Sequence, residues 1–428
     1  MKKTSYLIRE YESIVASENA PTGYHTVPQN IFDGLELFLL SHQESLGFMN
    51  LSVKRGLGKV LTAKNYAGTI AMKDGTTIEI LPKIESSQNH GDAEDRKLLL
   101  EMLKTLRKPP FQHFQTSSMD LANLTLLEVF IRMFLDEAFS LSKRGLRNGY
   151  HREERNLTVF KGKLLIPQQI RYNLTHRERF YVACDEYNAN RPENRILKTT
   201  LVLLYRMTST SRSKADIRTL LNAFDQVPVS RNPEADFARI TPDRTMADYS
   251  TALQWCRIFL GGLSFSPYAG QEVALALLFP MEQLFESFVA HHVKRYMEAR
   301  NYYVDVQDKR HHLFDTPTKL FSLRPDIVIS NHERKPILVL DTKWKTLSPD
   351  QQNHGISQSD MYQMYAYHKK YKPQKVILLY PVNQAFRESE QVFKYFANEP
   401  ESVEVCATFF DLLDVSRSLE RINKLLEI

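Results

Sequence analysis

The sequence predicts an α+β protein of several parts: a β-rich N-terminal domain, a helical middle region with a basic finger, and a C-terminal α/β domain. Three observations predict it. Asp74-Gly75 separates two alternating segments within residues 67–84 (AGTIAMKDGTTIEILPKI), the signal of a β-hairpin. Residues 121–141 (LANLTLLEVFIRMFLDEAFSL) are apolar at helical spacing. From Met281 onward the periodicities run helix, three strands, helix, two strands. A chain of 428 residues can bury two or three cores, with expected bounds at 1–95, 96–265 and 266–428.

Within the first part, 5–13 reads as a strand, 29–44 as a helix with Ile31, Leu35, Phe38 and Leu39 apolar, and 51–63 as strand-like. Together with the hairpin this suggests a small β-barrel platform. The polar stretch 85–95 (ESSQNHGDAED) marks a boundary. Helices follow over 96–106 and 121–141; Arg132, Asp136 and Glu137 make the second a buried core helix rather than a membrane span. Residues 143–163 hold seven basic side chains against Glu153 and Glu154, with Gly145, Gly149 and Gly162 as punctuation, and read as an exposed finger. Asp185, Glu186, Asn188, Asn190 and Asn194 crowd the next stretch. A capping and turn network before Ile196 accounts for them better than a second metal site. Helices are expected over 196–207, 215–224 and 251–260, and 263–268 is a break before the last domain.

Composition excludes several classes. The net charge of +6 is a modest basic excess, compatible with nucleic acid. Cys184, Cys256 and Cys406 are far apart, so neither a zinc site nor a disulfide framework is suggested, which fits a reducing cytoplasm. There is no signal-peptide core and no apolar run of membrane length, so no membrane partner is expected. A Gly-x-x-x-x-Gly-Lys-[Ser/Thr] phosphate loop is absent; any nucleotide hydrolysis belongs to another chain.

The stretch that carries chemistry is 323–345, LRPDIVISNHERKPILVLDTKWK. Two short apolar strands, 327–329 and 337–340, flank a polar turn at 331–335. Antiparallel pairing sets Asp326, before the first strand, beside Asp341, after the second. Lys343 shares the face of Asp341 by strand alternation. Two carboxylates and a lysine suit Mg²⁺, which takes oxygen ligands and keeps several waters. The helix 281–300 carries Glu282 and Glu286 one turn apart, and the helix 358–371 carries Gln363 and Tyr367 at the same spacing.

Pro325-Asp326 followed by Asp341-Thr342-Lys343 resembles the PD-(D/E)xK nuclease superfamily, whose restriction-endonuclease-like core has this helix and strand order. Gln363-x-x-x-Tyr367 resembles its RecB-type branch. More of the chain resembles the McrC family, the nuclease subunit of the McrBC modified-cytosine restriction system. The matches are the I-E-I-L-P-K-I ending at Ile84, Lys161-Gly162-Lys163-Leu164, Asn194-Arg195-Ile196-Leu197-Lys198, Leu284-Phe285-Glu286 and Asp341-Thr342-Lys343-Trp344-Lys345.

The resemblance implies a Mg²⁺-dependent DNA endonuclease within a GTP-driven, 5-methylcytosine-dependent complex. GTP would be bound and hydrolysed by an AAA+ McrB-like hexameric ring, whose GTPase this chain would stimulate, and double-stranded DNA would be the substrate. It implies Asp326 and Asp341 as Mg²⁺ ligands, joined by the Thr342 carbonyl and by Glu286, with Glu282 its rival. Lys343 becomes the catalytic lysine, while Gln363 and Tyr367 position DNA or the metal shell. Trp344 and Lys345 are open between the site and packing. The basic finger would enter the ring, with Arg152 or Arg155 reaching the partner's GTPase centre as arginine fingers do. The alternatives are a RecB-like repair nuclease working alone or with another motor, and an inactive adaptor.

Overall fold

The computed structural model describes residues 4–16, 20–41, 47–84, 91–106, 110–111, 124–241, 244–261, 273–316, 318–386, 392–397 and 403–427. Nine elements build the N-terminal part: β1 (Ser5–Arg9), β2 (Ser13–Val15), β3 (Tyr24–Thr26), α1 (Gln29–Ser41), β4 (Met49–Lys54), β5 (Gly58–Ala63), β6 (Tyr66–Met72), β7 (Thr77–Leu81) and, from far along the chain, β11 (Val273–Pro280). They form two open four-stranded sheets, β3-β2-β5-β4 and β1-β7-β6-β11, rather than a barrel. The β6–β7 hairpin turns where Asp74-Gly75 announced it. Gly75 has φ +90°, and Asp74 Oδ1 accepts from Thr76 N at 2.8 Å.

The strand β11 stands outside what the sequence suggested. It lies within the span assigned to the C-terminal domain, yet it pairs antiparallel with β6 along the N-terminal sheet. Its alternation divides two cores: Ala276 and Leu278 join α1 and the inner face of the sheet, while Leu275, Leu277 and Phe279 join the helical core. Gly68 makes the pairing possible. A Cβ there would stand 1.9 Å from the Leu277 carbonyl oxygen, and its φ is +148°.

The middle region contains α2 (Asp92–Lys104), α3 (Leu126–Arg144), β8 (Gly149–Leu157), β9 (Lys163–Leu164), α4 (Ile166–Asn173), β10 (Phe180–Asn188), α5 (Pro192–Met207), α6 (Ser211–Ala223), α7 (Pro233–Arg239) and α8 (Ser250–Gly261). As expected, α3 is a buried core helix, with Val129, Phe130, Ile131, Phe134 and Leu135 all enclosed. Its buried Glu128 is satisfied by the Thr208 and Ser213 hydroxyls across the helix bundle. The basic segment 143–163 begins in the last turn of α3 and continues through β8 to β9. β8 pairs with β10 through nine positions and β9 lines the other edge of β10, so a three-stranded sheet with α4 projects from the helices. The crowded stretch is a turn network only in part: Asp185, Glu186 and Asn188 lie on β10, with Glu186 paired to Lys161, while Asn194 Nδ2 donates to the Arg147 and Ala189 carbonyls and Arg195 reaches Asn190 and Asp236.

The C-terminal part comprises α9 (Met281–Glu298), β12 (Tyr303–Val306), β13 (His312–Phe314), β14 (Leu320–Ser322), β15 (Ile327–Ser330), β16 (Pro336–Thr342), α10 (Gln358–Tyr371), β17 (Lys375–Pro381), β18 (Phe393–Ala397), β19 (Val403–Phe410) and α11 (Val415–Glu427). Six strands form one mixed sheet in the order β12-β15-β16-β17-β19-β18. Its inner strands β15, β16, β17 and β19 are apolar on both faces because both are covered. Val328, Val339, Val376 and Leu378 pack under α10, while Ile327, Ile329, Leu338 and Leu340 face α9 and α11. The expected helix and strand order is present; the β13–β14 hairpin, β18 and α11 add to it.

Candidate active site

Pairing of Ile327 with Leu340 sets Asp326 and Asp341 next to each other at one end of the sheet, as the sequence predicts. Asp326 precedes β15, and its Oδ2 accepts from both the amide and the hydroxyl of Thr342, each at 2.7 Å. Asp341 is buried on β16. Lys343 Nζ lies 2.8 Å from Asp341 Oδ2 and donates to Gln363 Oε1 on α10 at 3.0 Å. Gln363 Nε2 donates to the Tyr367 hydroxyl at 2.6 Å and reaches Asp341 Oδ1 at 3.5 Å. Asp326, Asp341, Lys343, Gln363 and Tyr367 therefore converge, because strand alternation turns the first three toward α10 and helical spacing aligns the last two.

From the other side, α9 brings Glu286. Its charge is one of the causes that raise the Asp326 pKa, and its Oε1 accepts from Gln307 Nε2. Glu282 points elsewhere: its Oε1 accepts from Asn65 Nδ2 on the N-terminal side. Gln307 carries no motif in the sequence, yet it joins two parts of the site. At φ +52° just past β12, its amide donates to the Asp326 carbonyl while its side chain holds Glu286. Lys345 pairs with Asp360 at 2.9 Å on α10, and Trp344 turns to the opposite face, against Phe285. Arg152 and Arg155 lie far along the chain on β8, exposed, with Arg155 ion-paired to Glu153.

Electrostatics mark the end of the sheet. Burial, then the neighbouring Glu286 charge, pushes the Asp326 carboxyl above the ordinary range. Burial and the Asp326 charge do the same to Asp341, against the pull of Lys343. Burial alone would lower Lys343, but Asp341 and the other surrounding carboxylates outweigh it and raise it. The Lys343 ammonium, 2.8 Å away, is the partner of Asp341 Oδ2 among the described residues. Two buried carboxylates whose charges repel each other suit a hard divalent cation between them. Among the described residues no three His, Cys, Asp or Glu side chains make a closed metal cage. Mg²⁺ does not require one, since it is held by one or two carboxylates and water. Beyond Glu286 and Gln307 opens a cleft of about 1180 Å³ whose walls include Lys104, Lys294, Arg295 and Arg324.

The centre thus sets two buried carboxylates and a lysine at one end of a covered mixed sheet, beside a cleft walled by both basic and acidic side chains. The family model described as McrBC 5-methylcytosine restriction system component matches residues 61–381, and the chain belongs to that family. A chain of the Thermococcus gammatolerans assembly described as McrB AAA+ hexamers with bound McrC shares its fold. The TM-score is 0.68 at 18% identity, over 99% of this chain and 100% of that one. A chain of the Thermococcus gammatolerans McrBC complex matches 69% of this chain and 88% of its own length, with a TM-score of 0.49 at 19% identity. No curated protein matches the sequence. Among the described residues no helix is long and apolar enough to cross a membrane.

Proposed function

We propose that this chain is the nuclease subunit of a GTP-driven restriction complex that cleaves double-stranded DNA carrying 5-methylcytosine, and that it acts in the cytoplasm on an AAA+ McrB-like hexameric ring whose GTPase it stimulates. The observation that carries the nuclease reading is the convergence of Asp326, Asp341, Lys343 and Gln363 at one end of the sheet. Family membership supports the partner and the methylated substrate, and the fold shared with the McrB-bound chain is consistent with that reading.

Asp326 and Asp341 would hold Mg²⁺, with Glu286 as a further carboxylate and the Thr342 carbonyl as an additional oxygen. Bound there, the ion would polarise the scissile phosphate and supply a water acidic enough to attack it. Lys343 keeps its proton, orients that water and offsets negative charge developing on the phosphate. Gln363 fixes the lysine from α10, and the buried Tyr367 hydroxyl fixes Gln363. Thr342 locks the Asp326 rotamer through two hydrogen bonds, which preorganises the pair. Cations along the cleft draw in the DNA backbone. Arg152 and Arg155, exposed on the finger, are the candidates to reach the partner's GTPase centre.

The test combines the chain with its McrB-like partner, GTP and Mg²⁺, and follows GTP turnover and cutting of methylated and unmethylated plasmid. Stimulated turnover with cutting confined to methylated DNA is the expected result. Cutting indifferent to GTP and methylation would move the protein to a repair-type nuclease.

A further inference from the structure

Glu10 and Trp344 are 334 positions apart, and they meet. Glu10 follows β1 and is wholly buried, an expensive place for a carboxylate. It is held by its own sheet: its amide donates to the Leu81 carbonyl, and its Oε2 accepts from Lys83 N at 3.0 Å. Both carboxylate oxygens also accept from the Trp344 indole, at 3.0 and 3.3 Å. Trp344 directly follows Lys343 in the chain. Its ring, 7% exposed, packs on Phe285 with centroids 5.4 Å apart, and Phe285 directly precedes Glu286. The indole thus stands behind two groups of the active site, the lysine on one element and the glutamate on another.

Glu10 is the polar partner of the indole across this junction. Beside the pair lies a cavity of about 370 Å³, bordered by Glu10, Lys83, Trp344, Lys345 and Asn383. The chain after β16 leaves the sheet there, with Trp344 in one core and Leu347 in another. Past Thr342 it is tied within the C-terminal part by the Lys343 amide on the Leu379 carbonyl, by Lys343 Nζ on Asp341 and Gln363, by the Lys345–Asp360 ion pair and by Asn383 Nδ2 on the Leu347 carbonyl. The indole on Glu10 joins it instead to the N-terminal sheet.

We propose that Glu10 is a positioning residue for the nuclease centre: anchored by the N-terminal sheet, it fixes the Trp344 indole and thereby the spacing between Lys343 and Glu286. This rests on the nuclease reading above. It also makes cleavage sensitive to how the N-terminal sheet sits against the C-terminal domain.

The test is a cycle of Glu10→Gln, Glu10→Ala, Trp344→Phe and Glu10→Ala/Trp344→Phe in the full chain, reconstituted with the partner, GTP and methylated DNA. Wild type and Asp341→Ala are controls, and GTP turnover is recorded in the same reactions. The expected result is a kcat for cutting reduced about tenfold or more in Glu10→Ala and Trp344→Phe, as misplacement of catalytic groups produces. Glu10→Gln, which keeps one acceptor for the indole, falls in between. KM for DNA and stimulated GTP turnover stay within about threefold, the Mg²⁺ concentration for half-maximal cutting rises, and the double variant loses no more than either single one. Unchanged kcat in folded Glu10→Ala, a loss confined to KM, or losses that add in the double variant would each overturn the proposal. Wild type that never cuts, or cuts like Asp341→Ala, would overturn the nuclease reading and this inference with it.

Discussion

Lys343 sits where one side chain sets both charge and geometry. It offsets the buried Asp341 and is aimed by Gln363. Lys343→Ala is expected to reduce cutting about 100-fold or more, the scale of losing one stabilising donor, with DNA retention by the complex unchanged. A gel-shift beside the cleavage assay checks it. Glu10 offers a stability prediction. Burial pushes its carboxyl up to about 7, against the hydrogen bonds from Lys83 and Trp344 that pull it down. The folded state then holds a proton that the unfolded chain releases near its ordinary value of 4.5. Stability therefore falls as pH rises between those values, by at most about 1.4 kcal/mol per pH unit. Urea unfolding without Mg²⁺ should show a lower midpoint at pH 8 than at pH 5.5, with a smaller difference in Glu10→Gln. At this scale Asp326, Asp341 and Lys343 were legible because strand alternation and two apolar runs are enough to bring them together. Gln307 was not, since its part depends on a positive φ and on where α9 lies, neither of which a local pattern records.

The finger and β11 show how far elements could be read. The basic segment was visible as charge and glycine, but its partner strand β10 lies some twenty residues later, beyond the reach of a hairpin rule. Its surface also carries exposed Val159, Phe160, Ile170 and Leu174, which a reading by charge overlooked. Charge reversal of Arg152 and Arg155 together is expected to lower partner GTPase stimulation several-fold while leaving the thermal transition of the chain in place. Unchanged stimulation would remove the finger's assigned role. β11 was missed because a strand buried on both faces shows no alternation, and its apolar run leads straight into α9. Gly68→Ala tests its importance. The added Cβ collides with backbone, so a loss of at least about 2 kcal/mol is expected in chemical unfolding.

For the whole molecule, the carboxylate pair, read as the proposed metal site, would link metal, pH and stability. Both groups are pushed up by burial and by like charge, so ionising them at neutral pH and above costs stability in the metal-free chain. A bound cation reverses that cost, whereas below the range where they ionise there is little for it to bind. Mg²⁺ is therefore expected to raise the melting temperature at pH 8 and to do little at pH 5, a difference that Asp326→Asn should abolish. The measurement that bears most directly on the centre is cutting of methylated plasmid by the GTP-fuelled complex assembled with Asp341→Ala, read against GTP turnover in the same tube. Lost cutting with wild-type turnover is the expected result. Retained cutting, or turnover lost together with it in a folded variant, would contradict the assignment of this sheet end as the cleavage site.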